Sequence, residues 1–208
     1  MSTLLYIEAS PRKQRSHSIS VANTFLDSYA SANPSDTIDR LDLWDTTLPE
    51  FDGERINAKY SVMHGAAPSG DEVAAWNEVQ GLFDRFNAAD KYVFSVPMWN
   101  FSIPYKLKHY IDVITQPGMA WSFSPETGYS GLVSGSVLAI YSSAGVYHDG
   151  SGAEAFDLQK PYFENWLGFV GLTDVKRIVV APMLEAPETV EAAVKQASSE
   201  AQALGKSF

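Results

Sequence analysis

Val93-Phe94-Ser95-Val96-Pro97-Met98-Trp99-Asn100-Phe101-Ser102-Ile103-Pro104 is the stretch from which the fold is read. Its first four residues are mostly β-branched or aromatic, the pattern of a short strand with both faces covered. Pro97 cannot donate to a sheet ladder, so the strand stops there. Pro104 suits the first position of a helix, with Ser102 as its cap. Met98, Trp99, Asn100 and Phe101 therefore fill a loop at the carboxyl end of a central strand, where open α/β sheets bind ligands. Flat apolar side chains beside amide and backbone hydrogen-bonding groups suit a planar heteroaromatic ring. The competing expectation is an ordinary strand–helix connection with buried aromatics.

Outward from this stretch, strands and helices alternate. Residues 4–9, 37–43, 136–141 and 175–181 read as further strands. The second of these alternates polar and apolar residues and belongs near a sheet edge. Between them, apolar residues fall at helical spacing from Ile19 to Tyr29, from Val73 to Phe86, from Leu107 to Ile114, from Leu158 to Val170 and from Val190 to Leu204. Ser16 or Ser18 caps the first helix, Ser69 with Glu72 forms a capping box before the second, Gly171 stops the fourth and Pro187 opens the last. Lys106, Lys108 and His109 on the third are expected towards solvent, His109 as a surface or rim residue rather than a ligand. Residues 44–68 carry no clear pattern and suggest a surface excursion or material for an interface. The order is a βαβ chain: one α/β unit over 1–208, with a doubly wound, five-stranded parallel sheet of the flavodoxin-like kind and helices on both faces.

Two more strand ends carry loops with ligand-like chemistry. Ser10-Pro11-Arg12-Lys13-Gln14-Arg15-Ser16-His17-Ser18 runs from the first strand into a helix N-terminus, and three of the 15 basic residues lie between Arg12 and Arg15. Unpaired N–H groups and a positive dipole end favour an anion there. The glycine spacing of a dinucleotide fingerprint or P-loop is missing, so a single phosphate is expected. Ser142-Ser143-Ala144-Gly145 follows the fourth strand, where small residues let backbone approach a ligand. In the flavodoxin-like strand order these turns neighbour one another, and together they fit a mononucleotide. The segment 118–132 is rich in glycine and aromatics and reads as a small hairpin or flap. Its Trp121, Phe123 and Tyr129 either wall a pocket or pack on themselves.

Composition narrows the function. The chain has 45% hydrophobic and 19% charged residues, the balance of a globular protein. No cysteine is present, which removes disulfides, thiolate metal sites and a catalytic thiol. A formal charge of −10 argues against nucleic acid as a partner. No apolar run reaches the roughly 20 residues of a membrane span, and the first residues lack a signal-peptide pattern, so no membrane partner and a cytoplasmic location are expected. No metal-ligand cluster or acid–base pair stands out, so no metal is expected.

Several pieces together resemble a known family, the FMN-dependent NADH azoreductases, also described as NADH:quinone reductases. They are Ser10 with Ser16-His17-Ser18, Pro97-Met98-Trp99-Asn100-Phe101, Leu107-Lys108 with Tyr110-Ile111-Asp112, Gly131-Leu132-Val133, Gly145 with His148-Asp149-Gly150, Pro161-Tyr162, and Leu167 through Val175. The resemblance implies a flavodoxin-like fold, a homodimer and one FMN per subunit. By position it implies Ser10, Ser16, His17 and Ser18 at the FMN phosphate. It implies Met98, Trp99, Asn100 and Phe101 along the isoalloxazine, with Trp99 where relatives often have tyrosine. Ser142, Ser143, Ala144 and Gly145 fall at the pyrimidine end, with Ser143-Ala144 where Arg-Gly is common. Phe123 and Phe169 fall at positions that shape the substrate pocket. The implied chemistry is hydride transfer from NADH (or NADPH) to FMN, then two-electron delivery to a quinone or azo compound in a ping-pong cycle, with the cofactor and no catalytic side chain carrying the reaction. The alternative is a flavodoxin-like electron carrier or flavin-binding regulatory module without turnover. A serine hydrolase is disfavoured by the absence of a Gly-x-Ser-x-Gly elbow.

Overall fold

A computed structural model describes residues 1–67 and 69–208. Five parallel strands form one sheet: β1 (Thr3–Glu8), β2 (Thr37–Asp42), β3 (Lys91–Pro97), β6 (Ser136–Ser142) and β7 (Asp174–Val180). Their order is β2-β1-β3-β6-β7, so β1 and β3 are neighbours with the chain winding away on either side. The parallel sheet is the one expected from the alternating pattern, and its order is the flavodoxin-like one that the resemblance implies. β1, β3 and β6 are buried along almost their whole length, whereas β2 and β7 are partly exposed, as edge strands are.

Among the described residues six α-helices complete the fold: α1 (His17–Ala32), α2 (Gly53–Met63), α3 (Asp71–Asn87), α4 (Tyr105–Ile114), α5 (Gln159–Val170) and α6 (Pro187–Gly205). On one face of the sheet, Val21, Phe25 and Tyr29 of α1 and Ala197 and Ala201 of α6 pack on Leu4, Tyr6, Val93 and Ile140. On the other, α3, α4 and α5 bring Phe86, Leu107, Tyr110, Phe163 and Trp166 onto Ile7, Phe94 and Ala139. Alternate residues of each central strand thus serve opposite cores, which explains their unbroken apolar runs.

The expected flap is a two-stranded antiparallel hairpin, β4 (Trp121–Ser124) with β5 (Gly128–Gly131). It is anchored where Val133 N–H donates to Val170 O at 2.9 Å. Gly171 ends α5 in the left-handed region, φ 106°, and a Cβ there would lie 2.4 Å from Val133 O. Only glycine fits, so the stop signal is also a packing requirement.

Several local expectations are corrected. Residues 44–68 contain a helix, α2, capped by the Asp52 side chain, which accepts from Arg55 N–H; Pro68 lies outside the described residues. α3 begins after Gly70 rather than Ser69, although Ser69 N–H still donates to the Glu72 carboxylate at 3.2 Å. Pro104 stands at the cap position of α4 rather than inside it, and Ser102 does not cap: it pairs with Trp99. His109 takes the rim position of the two expected: it is half-buried at the edge of a groove, with its Nε2 2.8 Å from Pro49 O.

Candidate active site

The parallel order brings the carboxyl ends of β1, β3 and β6 side by side, and hydrogen bonds lock their loops together. Ala9 N–H donates to Ser95 O at 3.2 Å, and Met98 N–H to Ser142 O at 2.7 Å. Ser143 N–H reaches Val180 O, while Met183 N–H and Leu184 N–H take the carbonyls of Ser143 and Ala144. The three loops picked out in the sequence therefore converge on one sheet edge.

In the first loop, Ser10, Ser16 and Ser18 are all buried. Ser16 occupies the cap position of α1, yet among the described residues no side chain caps this helix. Its hydroxyl lies 3.2 Å from that of Ser18, and the first backbone bond is Ser20 N–H to Ser16 O. The N–H groups of His17, Ser18 and Ile19 therefore have no backbone partner, which leaves a positive helix end beside three hydroxyls. The charge cluster is split: Lys13 turns away to ion-pair with Asp42 and, at 3.8 Å, with Glu8, while Arg12 and Arg15 stay exposed. Burial and the nearby Arg12 guanidinium hold the His17 imidazole below its ordinary pKa.

The second loop is a tight hairpin. Trp99 N–H donates to Ser102 O at 2.8 Å and Ser102 N–H to Trp99 O at 3.0 Å. Asn100 and Phe101 form its corner with φ of 47° and 70°, as in a type I′ turn. Phe101 is 45% exposed and its ring meets Phe156 and Tyr147. Behind the turn, Leu158 N–H donates to Phe101 O, and the buried Gln159 amide donates to Val96 O at 2.9 Å. In the third loop Ser142 and Ser143 are buried, and the Ser143 hydroxyl donates to Gly145 O at 2.8 Å.

Beyond Trp99 and Asn100 a groove of about 1160 Å³ continues along α4 to the hairpin, where Trp121, Tyr129 and Phe169 line it. Phe123 and Phe169 both pack on Tyr129, at 5.0 and 5.7 Å between ring centroids. Phe123 itself faces a neighbouring hollow with Val62 and Met63 of α2. The hairpin aromatics thus both pack on one another and wall a cavity. Among the described residues no group of side chains has the makings of a metal site.

Sequence inspection missed Trp44, just past β2. Its indole N–H donates to Ala9 O at 3.0 Å and its ring meets Trp99 and Tyr105. An aromatic residue just past a strand's carboxyl end was the available signal.

The sequence model of the flavodoxin-like fold family, Flavodoxin_2, matches residues 2–204. An FMN-dependent NADH:quinone oxidoreductase of Desulfotalea psychrophila is 46% identical over 206 residues, covering 99% of this chain and 97% of that protein. The chain belongs to this flavodoxin-like oxidoreductase family. Among solved structures, an azoreductase from Bacillus anthracis superposes over the whole of both chains with a TM-score of 0.91 at 28% identity. An FMN-dependent NADH-azoreductase from the same species, solved in complex with FMN, gives 0.85 at 26% identity, covering 99% of this chain and 100% of that one. Family membership accounts for the order of the motifs along the chain. Because the first of these matches spans all of both chains, the likeness takes in the flap and the long α6 as well as the sheet.

Proposed function

We propose that the chain is an FMN-dependent NADH:quinone oxidoreductase that also reduces azo compounds, as the names of its relatives indicate for them. The observation that carries this is the convergence of the three loops at the β1/β3 switch point, with an uncapped helix end at one side and an aromatic turn at the other. The residues fit the cofactor. Ser10, Ser16, Ser18 and the first N–H groups of α1 would hold the phosphate, with His17 at its border. Met98, Trp99, Asn100 and Phe101 would line the ring, and Ser142 to Gly145 would face its pyrimidine edge. When bound, FMN supplies two-electron chemistry between NADH or NADPH and the acceptor.

The chain's own work is to bind and orient. Gln159 and Leu158 fix the turn from behind, so its aromatic and amide groups are presented in one arrangement. Trp121, Tyr129 and Phe169 offer an apolar wall for a flat acceptor and keep water from it. Phe169 shapes that pocket directly, and Phe123 acts on it through Tyr129, on which it packs from the neighbouring hollow. One binding face used in turn by donor and acceptor gives ping-pong kinetics. Exposed Tyr105, Phe123, Tyr129 and Phe169 favour a homodimer closing over the groove, and the chemistry suits the cytoplasm. Purified protein loaded with FMN should bleach with NADH and regain colour with a quinone through many turnovers. Protein that takes up no FMN overturns the proposal, and bleaching without repeated turnover indicates an electron carrier instead.

A further inference from the structure

We propose that Trp44 is a positioning residue that couples the phosphate end of the site to its ring end, so that the chain reads FMN as one unit and discriminates it from a flavin lacking phosphate. The inference rests on the cofactor assignment above. Trp44 lies outside the three loops, at the carboxyl end of edge strand β2, and would touch neither end of the ligand directly. It touches the supports of both. Its indole N–H donates to the carbonyl of Ala9, the residue before Ser10. Its ring lies 5.7 Å from that of Trp99, in the turn that would line the flavin. Tyr105, at the start of α4, closes the aromatic group against both tryptophans.

Trp44 is itself fixed by the first loop. Asp42 accepts the Trp44 N–H at 3.0 Å, and its carboxylate is also ion-paired with Lys13. Lys13 sits in the middle of the phosphate loop with φ 48°, outside the region a lysine prefers. A chain of contacts therefore runs Lys13, Asp42, Trp44, Trp99. A displacement of the phosphate loop moves Asp42 and Ala9, and through Trp44 it moves the ring turn. Two subsites connected in this way bind their halves of one ligand cooperatively, because ordering one removes freedom from the other.

The test compares FMN with riboflavin, which has the ring and no phosphate, by titrating flavin fluorescence in wild type, Trp44→Phe and Trp44→Ala. The readout is the ratio of the two dissociation constants. Trp44→Phe keeps a ring against Trp99 and loses the bond to Ala9, and the preference for FMN should fall about fivefold, the size of one neutral hydrogen bond. Trp44→Ala loses the ring contact as well, and the fall should reach about tenfold or more. Loss of general stability alone weakens both flavins alike and leaves the ratio unchanged. A ratio within about twofold of wild type in both variants, the scatter expected of uncoupled sites, overturns the proposal. If Trp44→Ala does not fold, Trp44→Phe decides by the same twofold limit. A wild-type protein that binds neither flavin overturns the cofactor assignment itself.

Discussion

Ser18→Ala separates binding from folding at the phosphate end of the site. Ser18 is fully buried on the first turn of α1, and its hydroxyl has one hydrogen-bond partner among the described residues, the Ser16 hydroxyl at 3.2 Å. That bond is long for two hydroxyls, so losing it costs the free protein little. Alanine is the better helix former and nearly isosteric, and the two effects together should leave free-protein stability within about 1 kcal/mol of wild type. The ligand loses far more. A hydroxyl donating to a charged phosphate contributes about 1.5–3 kcal/mol. At about 1.4 kcal/mol per decade, FMN affinity should fall between about 10- and about 150-fold. Riboflavin makes no such contact and should bind the variant as it binds wild type. The assay is flavin titration of the cofactor-free protein, with urea unfolding of the same sample. An FMN loss below about twofold, less than even a weak neutral hydrogen bond of about 0.5 kcal/mol gives, would refute the placement of the phosphate, as would an equal loss for riboflavin.

Three further outcomes follow from the same structure. Gly171→Ala forces a methyl group against Val133 O at φ 106°; left-handed strain and overpacking sum to about 2–5 kcal/mol, and a scan should show melting lowered by about 5–20 °C. His17 has a depressed pKa in the folded chain because of burial and Arg12, so the unfolded chain takes up the proton first. Stability should fall as pH drops below the unfolded value of about 6.5, and His17→Gln should flatten that part of a urea-midpoint profile. Phe169→Ala removes a ring packed on Trp121 and Tyr129; losing one aromatic contact should raise the quinone KM about 2- to 10-fold, and because the donor uses the same face the NADH KM should rise with it.

What was legible in the sequence was what depends on local periodicity or on a single residue's backbone limits. The alternation of Thr37 to Leu43 marked an edge strand, the apolar run at Val93 a central one, and Gly171 a left-handed stop; each recurs in the fold. Caps were less legible, because residue type says that a cap is possible without saying which N–H the side chain meets. Ser16 does sit at the start of α1, but its hydroxyl turns to Ser18. Pro104 has φ −59°, a value that serves the cap position as well as the first helical one, so proline alone could not decide between them. α2 escaped because it presents no apolar stripe to the sheet: Ile56, Tyr60 and Met63 are exposed and Ala58 alone is buried. The three loops of the candidate site were legible as strand ends. Trp44 was not, because its contacts exist only once β2 lies beside β1 and the Asn100–Phe101 turn returns Trp99 to meet it.

That turn also shows why the chain keeps costly residues where glycine would be easier. Lys13, Asn100 and Phe101 are the non-glycine residues with positive φ among those described, and all three lie in strand-end loops of the candidate site. Lys13 and Phe101 each cost on the order of 1–3 kcal/mol in this conformation, and glycine at the second corner would relieve the type I′ turn, whereas asparagine is a favoured first-corner residue. Folding alone would therefore favour replacing Lys13 and Phe101. Lys13 accounts for its cost inside the chain, through Asp42 and Glu8. Phe101 does so only in part, since 45% of it remains exposed beside Phe156 and Tyr147. Asn100 is exposed and its amide makes no hydrogen bond among the described residues. Its exposure leaves that amide to solvent in the free chain and within reach of a ring bound beside the turn. Asn100→Gly, at a corner where both residues are favoured, should keep the turn and the melting temperature while weakening ring binding, for riboflavin as much as for FMN.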